Sequence, residues 1–220
     1  TGLMWQQDPG DKVGWSEGMA GAADLDLAGH DDWRVPTIKE LYSLMDFRGE
    51  TGRSALDAVP YLDTDVFDFA YGDEGAGERY IDAQFMTSTE YVSTTMHGDA
   101  TEFGVNFADG RIKGYPIFDP RSGAEKLMFV RYVRGNPDYG VNDLRDAGDG
   151  TVEDRSTGLT WQQGDSIDGL DWEQALAACD VLVLGGADDW RLPDAKELQS
   201  IVDYTRSPDT TKSAAIDPVF

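Results

Sequence analysis

The chain has 220 residues, 40% of them hydrophobic and 11% aromatic, which supplies a core and excludes a disordered composition. Its 42 Asp and Glu against 18 Lys and Arg leave a formal net charge of −24. A field of that sign repels phosphate backbones and anionic membranes, so nucleic acid is excluded from the expected partners, and no run of about eighteen apolar residues exists to cross a membrane. A surface so acidic serves solubility or high salt, or else captures divalent cations. The single cysteine, Cys179, has no internal disulfide partner.

Two stretches recur. Thr1-Gly2-Leu3-Met4-Trp5-Gln6-Gln7 returns as Thr157-Gly158-Leu159-Thr160-Trp161-Gln162-Gln163. Asp31-Asp32-Trp33-Arg34-Val35-Pro36 returns as Asp188-Asp189-Trp190-Arg191-Leu192-Pro193, with one residue inserted between the motifs. This is a tandem duplication. It divides the chain into a first repeat over 1–134, a glycine-bearing linker over 135–150, and the front half of a second repeat over 151–220.

In chain order, the apolar spacing predicts a helix over 15–27 and a stronger one over 172–184, the latter carried by Trp172, Ala175, Leu176, Cys179 and Val183. Gly18 and Gly21 stand where the second copy has Ala175 and Ala178, which weakens the first helix by roughly 1 kcal/mol per glycine. Thr37 with Glu40 and Asp194 with Glu197 are capping boxes, each opening a second helix behind Pro36 or Pro193. Ile38, Leu41, Leu44 and Met45 form the inner face of that helix in copy one. Residues 50–80 read as a long folded loop. Strands are expected over 80–86, 102–107, 111–116 and 126–134, with Asp109-Gly110 turning a hairpin. A further hairpin joins 151–154 to 159–161. Two helices followed by a small antiparallel sheet make an α+β layout. Copy one lacks the leading strand that copy two shows, and copy two lacks a closing sheet, so more chain is expected before Thr1 and after Phe220.

Thr1 to Trp5, Trp15, Gly29 to Leu41, Phe85 to Thr89, Val105 to Gly110 and Phe129 to Arg134 together resemble the bacterial domain family named for the C-terminal domain of the Legionella collagen-like adhesin. The resemblance implies a C-type-lectin-like fold, with two helices on a twisted antiparallel sheet. It also implies an exported bacterial protein, extracellular or at the cell surface; several members serve adhesion to glycans, and the resemblance does not imply an enzyme. Family members often carry one cysteine in the first helix and another in the last strand. Copy one has Ala22 and Tyr132 there, and Cys179 holds the helix position of copy two, which implies a disulfide partner beyond Phe220; a buried thiol is the alternative. The related formylglycine-generating oxidases share the Arg-Leu-Pro pattern, but they need paired active-site cysteines that this chain lacks.

Several residue groups invite chemical readings. Trp33, Arg34, Pro36 and Glu40, with Trp190, Arg191, Pro193 and Glu197, are expected to lock a helix against a sheet rather than bind a ligand. Asp31-Asp32 and Asp188-Asp189 read as turn residues. His97 near Ser93 and Asp99 lacks a nucleophile elbow. For metals, Asp63, Asp65, Asp68, Asp73 and Glu74 within a glycine-bearing loop make calcium the candidate ion, with Asn142, Asp143, Asp146 and Asp149 a weaker second group. No other cofactor is indicated. On the sheet, Tyr91, His97, Asn106, Arg111, Lys113 and Tyr115 are the polar and aromatic candidates for a ligand surface, by fold-level analogy. The expected function is a non-enzymatic binding or adhesion module for a glycan or surface protein. The alternatives are a structural subunit whose partial repeats complete one another by self-association into a filament or surface layer, and a hypervariable ligand-display protein.

Overall fold

The computed structural model describes every residue except His97 and Ile167, and divides the chain into two units, Thr1–Tyr139 and Gly140–Phe220. Unit 1 runs β1 (Leu3–Trp5), α1 (Trp15–Gly21), α2 (Ile38–Tyr42), a 3-10 turn (Glu74–Ala76), β2 (Gln84–Phe85), β3 (Glu90–Thr95), β4 (Asp99–Asn106), β5 (Arg111–Pro116) and β6 (Val133–Gly135). Unit 2 runs β7 (Leu144–Asp146), β8 (Thr151–Asp154), β9 (Leu159–Gln162), α3 (Trp172–Val181) and α4 (Ala195–Ser200). The architecture is mixed α+β with antiparallel sheets.

Local chemistry sets both helix pairs. Both expected capping boxes form: Thr37 accepts from the Glu40 amide while Glu40 accepts from the Thr37 amide, and Asp194 with Glu197 does the same. A third, Asp171 with Gln174, opens α3. The glycine cost is visible in helix length, since α1 has 7 residues and α3 has 10. Both first helices stop short of the spans their apolar spacing predicts. The indole N–H of Trp33 donates to Leu27 O at 3.3 Å and His30 O at 3.0 Å; that of Trp190 donates to Leu184 O at 3.3 Å and Ala187 O at 3.2 Å. The repeated sequence therefore builds the same local bonds twice.

In unit 1 α2 packs on a sheet centred on β4. Strand β5 takes one edge of β4 from Thr101↔Pro116 to Asn106↔Arg111, and β2 and β3 share the other. The turn after β4 needs Gly110, whose φ of +70° is left-handed and where a Cβ would press on the Tyr61 ring. Three expectations change here. The 80–86 strand shrinks to β2, because Arg79 and Asp82 close a turn through Arg79 O and the Asp82 carboxylate. Strand β3 was not among the expected strands. The 126–134 strand is a thread that changes partners: Met128 bridges Val13, Phe129 bridges Phe85, and Val133 bridges Arg34 before β6 pairs with β1. Residues 135–150, read as linker, contribute the end of β6 and all of β7, which pairs with β8.

This closing thread carries the core. Ala22, Trp33, Val35, Met86, Tyr115, Met128, Val130 and Tyr132 form one buried cluster, and Phe85 packs against Phe107 and Phe129 with centroids 5.2 Å apart in each pair. Arg131 is fully buried. Its guanidinium donates to Gln6 O at 2.7 Å, to Gln7 O, and to Asp68 O at 2.6 Å, and stacks 4.9 Å from the Phe67 ring centroid. Desolvation lowers its pKa to about 10, so it stays charged at neutral pH. One side chain thus ties β1, the 60–80 loop and the closing thread together.

Gly18 and Gly21 let that thread approach α1. A Cβ at Gly18 would lie 2.5 Å from Met86 Sδ, and one at Gly21 would overlap the Tyr132 hydroxyl, which donates to Gly18 O at 2.9 Å. Gly21→Ala gains about 1 kcal/mol of helix propensity but overpacks, so a net loss of about 1–2 kcal/mol is expected in urea unfolding. Adding Tyr132→Phe restores part of that loss, whereas a stabilised single variant contradicts the packing.

A buried titratable group lies on β4. Glu102 is fully buried, accepts from the Thr87 amide at 3.0 Å through one oxygen, and leaves the other without a partner. Burial pushes its pKa up to about 8. The folded value lies above the unfolded one, so the stability Glu102 contributes is complete below the unfolded value near 4.5 and is lost as pH rises to about 8. Glu102→Gln should flatten the pH profile of the unfolding midpoint across that window and exceed the parent above pH 8; parallel profiles contradict the assignment.

Candidate functional site

The β4–β5 hairpin gathers most of the expected ligand residues, for a reason visible in its register. Asn106 pairs with Arg111, Gly104 with Lys113, and Glu102 with Tyr115, so strand alternation puts Arg111, Lys113 and Tyr115 on one face. Asp109 in the turn is their hub. Lys113 Nζ donates to its carboxylate, and an Arg111 guanidinium nitrogen stands 4.0 Å from the same oxygen. The other Asp109 oxygen is buried without a partner. Arg79 lies in the field of Asp109 and pairs with Asp82 at 2.7 Å, a bond that draws the Asp82 pKa down to about 2. Lys126 Nζ sits 5.7 Å from the Tyr115 ring centroid. Burial pushes the Tyr115 phenol pKa up.

Three cations, Arg79, Arg111 and Lys113, therefore meet around two carboxylates, with Lys126 against Tyr115 beside them, on a chain of net charge −24. Arg111 and Arg79 side chains are 69% and 72% exposed. Lys113 neutralises Asp109, and Arg111 is beyond hydrogen-bond length from it, which leaves the Arg111 fork available to a planar anion or a sugar hydroxyl.

The remaining expected residues fall elsewhere. Asn106 is fully buried, donating to Ile81 O at 2.7 Å and accepting from the Ala108 amide at 2.9 Å, so it shapes the hairpin turn and is not a ligand contact. Tyr115 is core, with its ring in the helix-facing cluster. Tyr91 packs edge-on against Phe103 at 5.7 Å, away from the Arg111 face. His97 lies outside the described residues. The structure thus brings together Arg111, Lys113 and Tyr115 from the expected set.

The calcium candidates are not gathered either. Asp63 accepts from the Asp65 amide, Asp73 caps the 3-10 turn through the Gly75 and Ala76 amides, and Asp68 lends its backbone oxygen to Arg131. Asp63, Asp65, Asp68, Asp73 and Glu74 are all exposed. Asp143 lends its carbonyl to Arg155, and Asp146 and Asp149 close turns onto Gly148 and Thr151. Among the described residues, no three His, Cys, Asp or Glu side chains are placed to hold a metal ion. In so acidic a chain, carboxylates that are neighbours in sequence find local backbone amides sooner than each other.

Each repeated Trp-Arg motif closes the same local bonds, with one addition. Arg34 bonds Glu40, and Arg191 bonds Glu197 at 2.5 Å, so each glutamate serves both the capping box and the arginine. Asp32, read as a turn residue, instead pairs with Arg134 at 2.5 Å, which lowers its pKa. Sequence reasoning missed Arg131, Glu102 and this Asp32–Arg134 pair. A signal for Arg131 was present, because Phe129, Arg131 and Val133 alternate onto one face of the closing thread, where an arginine must be buried and bonded.

No helix among the described residues is long and apolar enough to cross a membrane. No curated protein and no solved structure matches the chain. The family model of the Lcl C-terminal domain matches residues 1–134 and again residues 150–219. With nearly its whole length covered, the chain belongs to the Lcl C-terminal domain family.

Proposed function

We propose that this chain is a non-enzymatic, exported bacterial adhesion module, that unit 1 is a C-type-lectin-like domain, and that it binds a glycan or surface protein through the β4–β5 face. Family membership supports the adhesin reading. The observation that carries the choice of face is the convergence of Arg79, Arg111, Lys113 and Lys126 around Asp109, Asp82 and Tyr115. Cations are scarce in this chain, so Arg111 and Lys113 on the hairpin, with Arg79 and Lys126 from neighbouring segments, form a local attractor within a repelling field. The ion pairs hold Lys113 and Arg79 in place before a ligand arrives, which limits the ordering cost of binding. A binding role fits this face better than catalysis, because Asp109 and Lys113 are spent on one another.

A glycan array displaying acidic and neutral sugars tests the reading directly. Acidic glycans should bind, a chelator should leave the signal unchanged, and Arg79→Ala combined with Arg111→Ala should weaken binding about tenfold without moving the unfolding midpoint appreciably. No binding to any glycan or surface protein, or full binding by the double variant, contradicts it.

A further inference from the structure

The loop over 46–61 of unit 1 carries a leucine to its surface. Leu56 is 99% exposed, yet the loop around it is closely braced. Glu50 and Val59 exchange two backbone bonds of 2.8 Å across its base. Asp57 accepts from the Arg53 amide at 3.1 Å, and from the Ser54 amide and hydroxyl at 2.7 and 2.8 Å. The Gly52 backbone lies against Asp57, where a Cβ would come within 2.6 Å of the Asp57 carbonyl carbon. Asp46 N to Tyr61 O closes this loop, and Asp203 N to Ala215 O closes its counterpart in unit 2. That counterpart is shorter and has no large apolar residue between Thr205 and Ala214. Closing the loop therefore does not need Leu56.

The same loop abuts the cationic face. The Tyr61 ring is wedged between two backbones, since a Cβ at Gly49 or at Gly110 would press on it. Gly110 stands in the β4–β5 turn between Asp109 and Arg111. The Tyr80 hydroxyl donates to Gly52 O, and Tyr80 directly follows Arg79. The loop that presents Leu56 and the exposed Arg53 is thus pinned to the segments that present Arg79 and Arg111.

An aliphatic side chain gains little against the hydroxyl-clad surface of a sugar and most against other apolar groups. Exposed cations on a chain of net charge −24 favour acidic groups. We propose that the partner of this face is an acidic segment of a second protein, in which carboxylates flank an apolar side chain. The carboxylates meet Arg79 and Arg111, and the apolar side chain packs on Leu56 and removes it from water. The inference rests on the binding reading of the β4–β5 face and narrows its partner to a protein. A bare acidic glycan reaches the cations alone and so binds more weakly.

The test titrates the full chain into three labelled probes and reads fluorescence anisotropy. These are short synthetic peptides with Asp and Glu around a Leu or Phe, the same peptides with Ser at the apolar position, and oligogalacturonate. The apolar acidic peptides should bind at least about tenfold tighter than either other probe. Leu56→Ser should remove that advantage, leave oligogalacturonate binding unchanged, and not move the unfolding midpoint, because the side chain it replaces is exposed. Arg79→Ala combined with Arg111→Ala should weaken all three. If no peptide binds, if Leu56→Ser leaves peptide binding intact, or if oligogalacturonate binds as tightly as the apolar peptides, the inference is overturned while a glycan-binding face survives. If the double arginine variant binds every probe as the parent does, the β4–β5 face itself is refuted. Self-association of the chain that Leu56→Ser abolishes also overturns the inference, since a second copy would then be the occupant.

Discussion

A buried guanidinium holds unit 1 shut. Arg131 reaches three backbone carbonyls on two other segments, at Gln6, Gln7 and Asp68, and leaves water to do so. A charge removed from water without such partners is costly, so the strand that carries it is stable in one place only, between β1 and the 60–80 loop. The rest of the unit follows from that position. With Arg131 seated, Val133 meets the Arg34 backbone, Arg134 meets Asp32, and Met128, Val130 and Tyr132 fall into the cluster under the helices.

The two repeats separate local from tertiary causes with unusual clarity. Capping boxes, the Trp indole bonded to two turn carbonyls, and the Arg–Glu pair all form in both units. They need only residues a few positions apart. Burial differs because it depends on the closing thread, which unit 1 contains. The glycines of α1 belong to that tertiary layer: they weaken the helix so that Met86 and Tyr132 can come close to it. The alanines of α3 give a longer helix and a surface that a thread with Tyr132 would not fit.

These two layers also explain what the sequence made legible. The helix starts, the β4–β5 hairpin and the β8–β9 hairpin were readable because capping and turn chemistry are short-range. The 126–134 segment was readable as extended but not as a thread with four successive partners, since those lie far away in sequence. Asn106 and Tyr115 looked like ligand residues because their chemistry suits ligands; burial turned one into a turn brace and the other into core. Arg111 and Lys113 shared a face because strand alternation put them there, and that pairing was predictable from the hairpin alone. The acidic loop illustrates the converse. Its spacing suggested a cation, yet Asp63 and Asp73 accept from local amides and Asp68 lends its carbonyl to Arg131.

The same division bears on function. Asp109 pre-sets Lys113 on the β4–β5 hairpin and Asp82 pre-sets Arg79 beside it, and the proposed binding face rests on the packing beneath them. Hydrogen exchange across the full chain tests the central claim that the closing thread, and not the repeated motifs, supplies stability. Amides of β1 and α2 should exchange more slowly than those of β9 and α4 by about two orders of magnitude or more. Equal protection of the paired elements would contradict it.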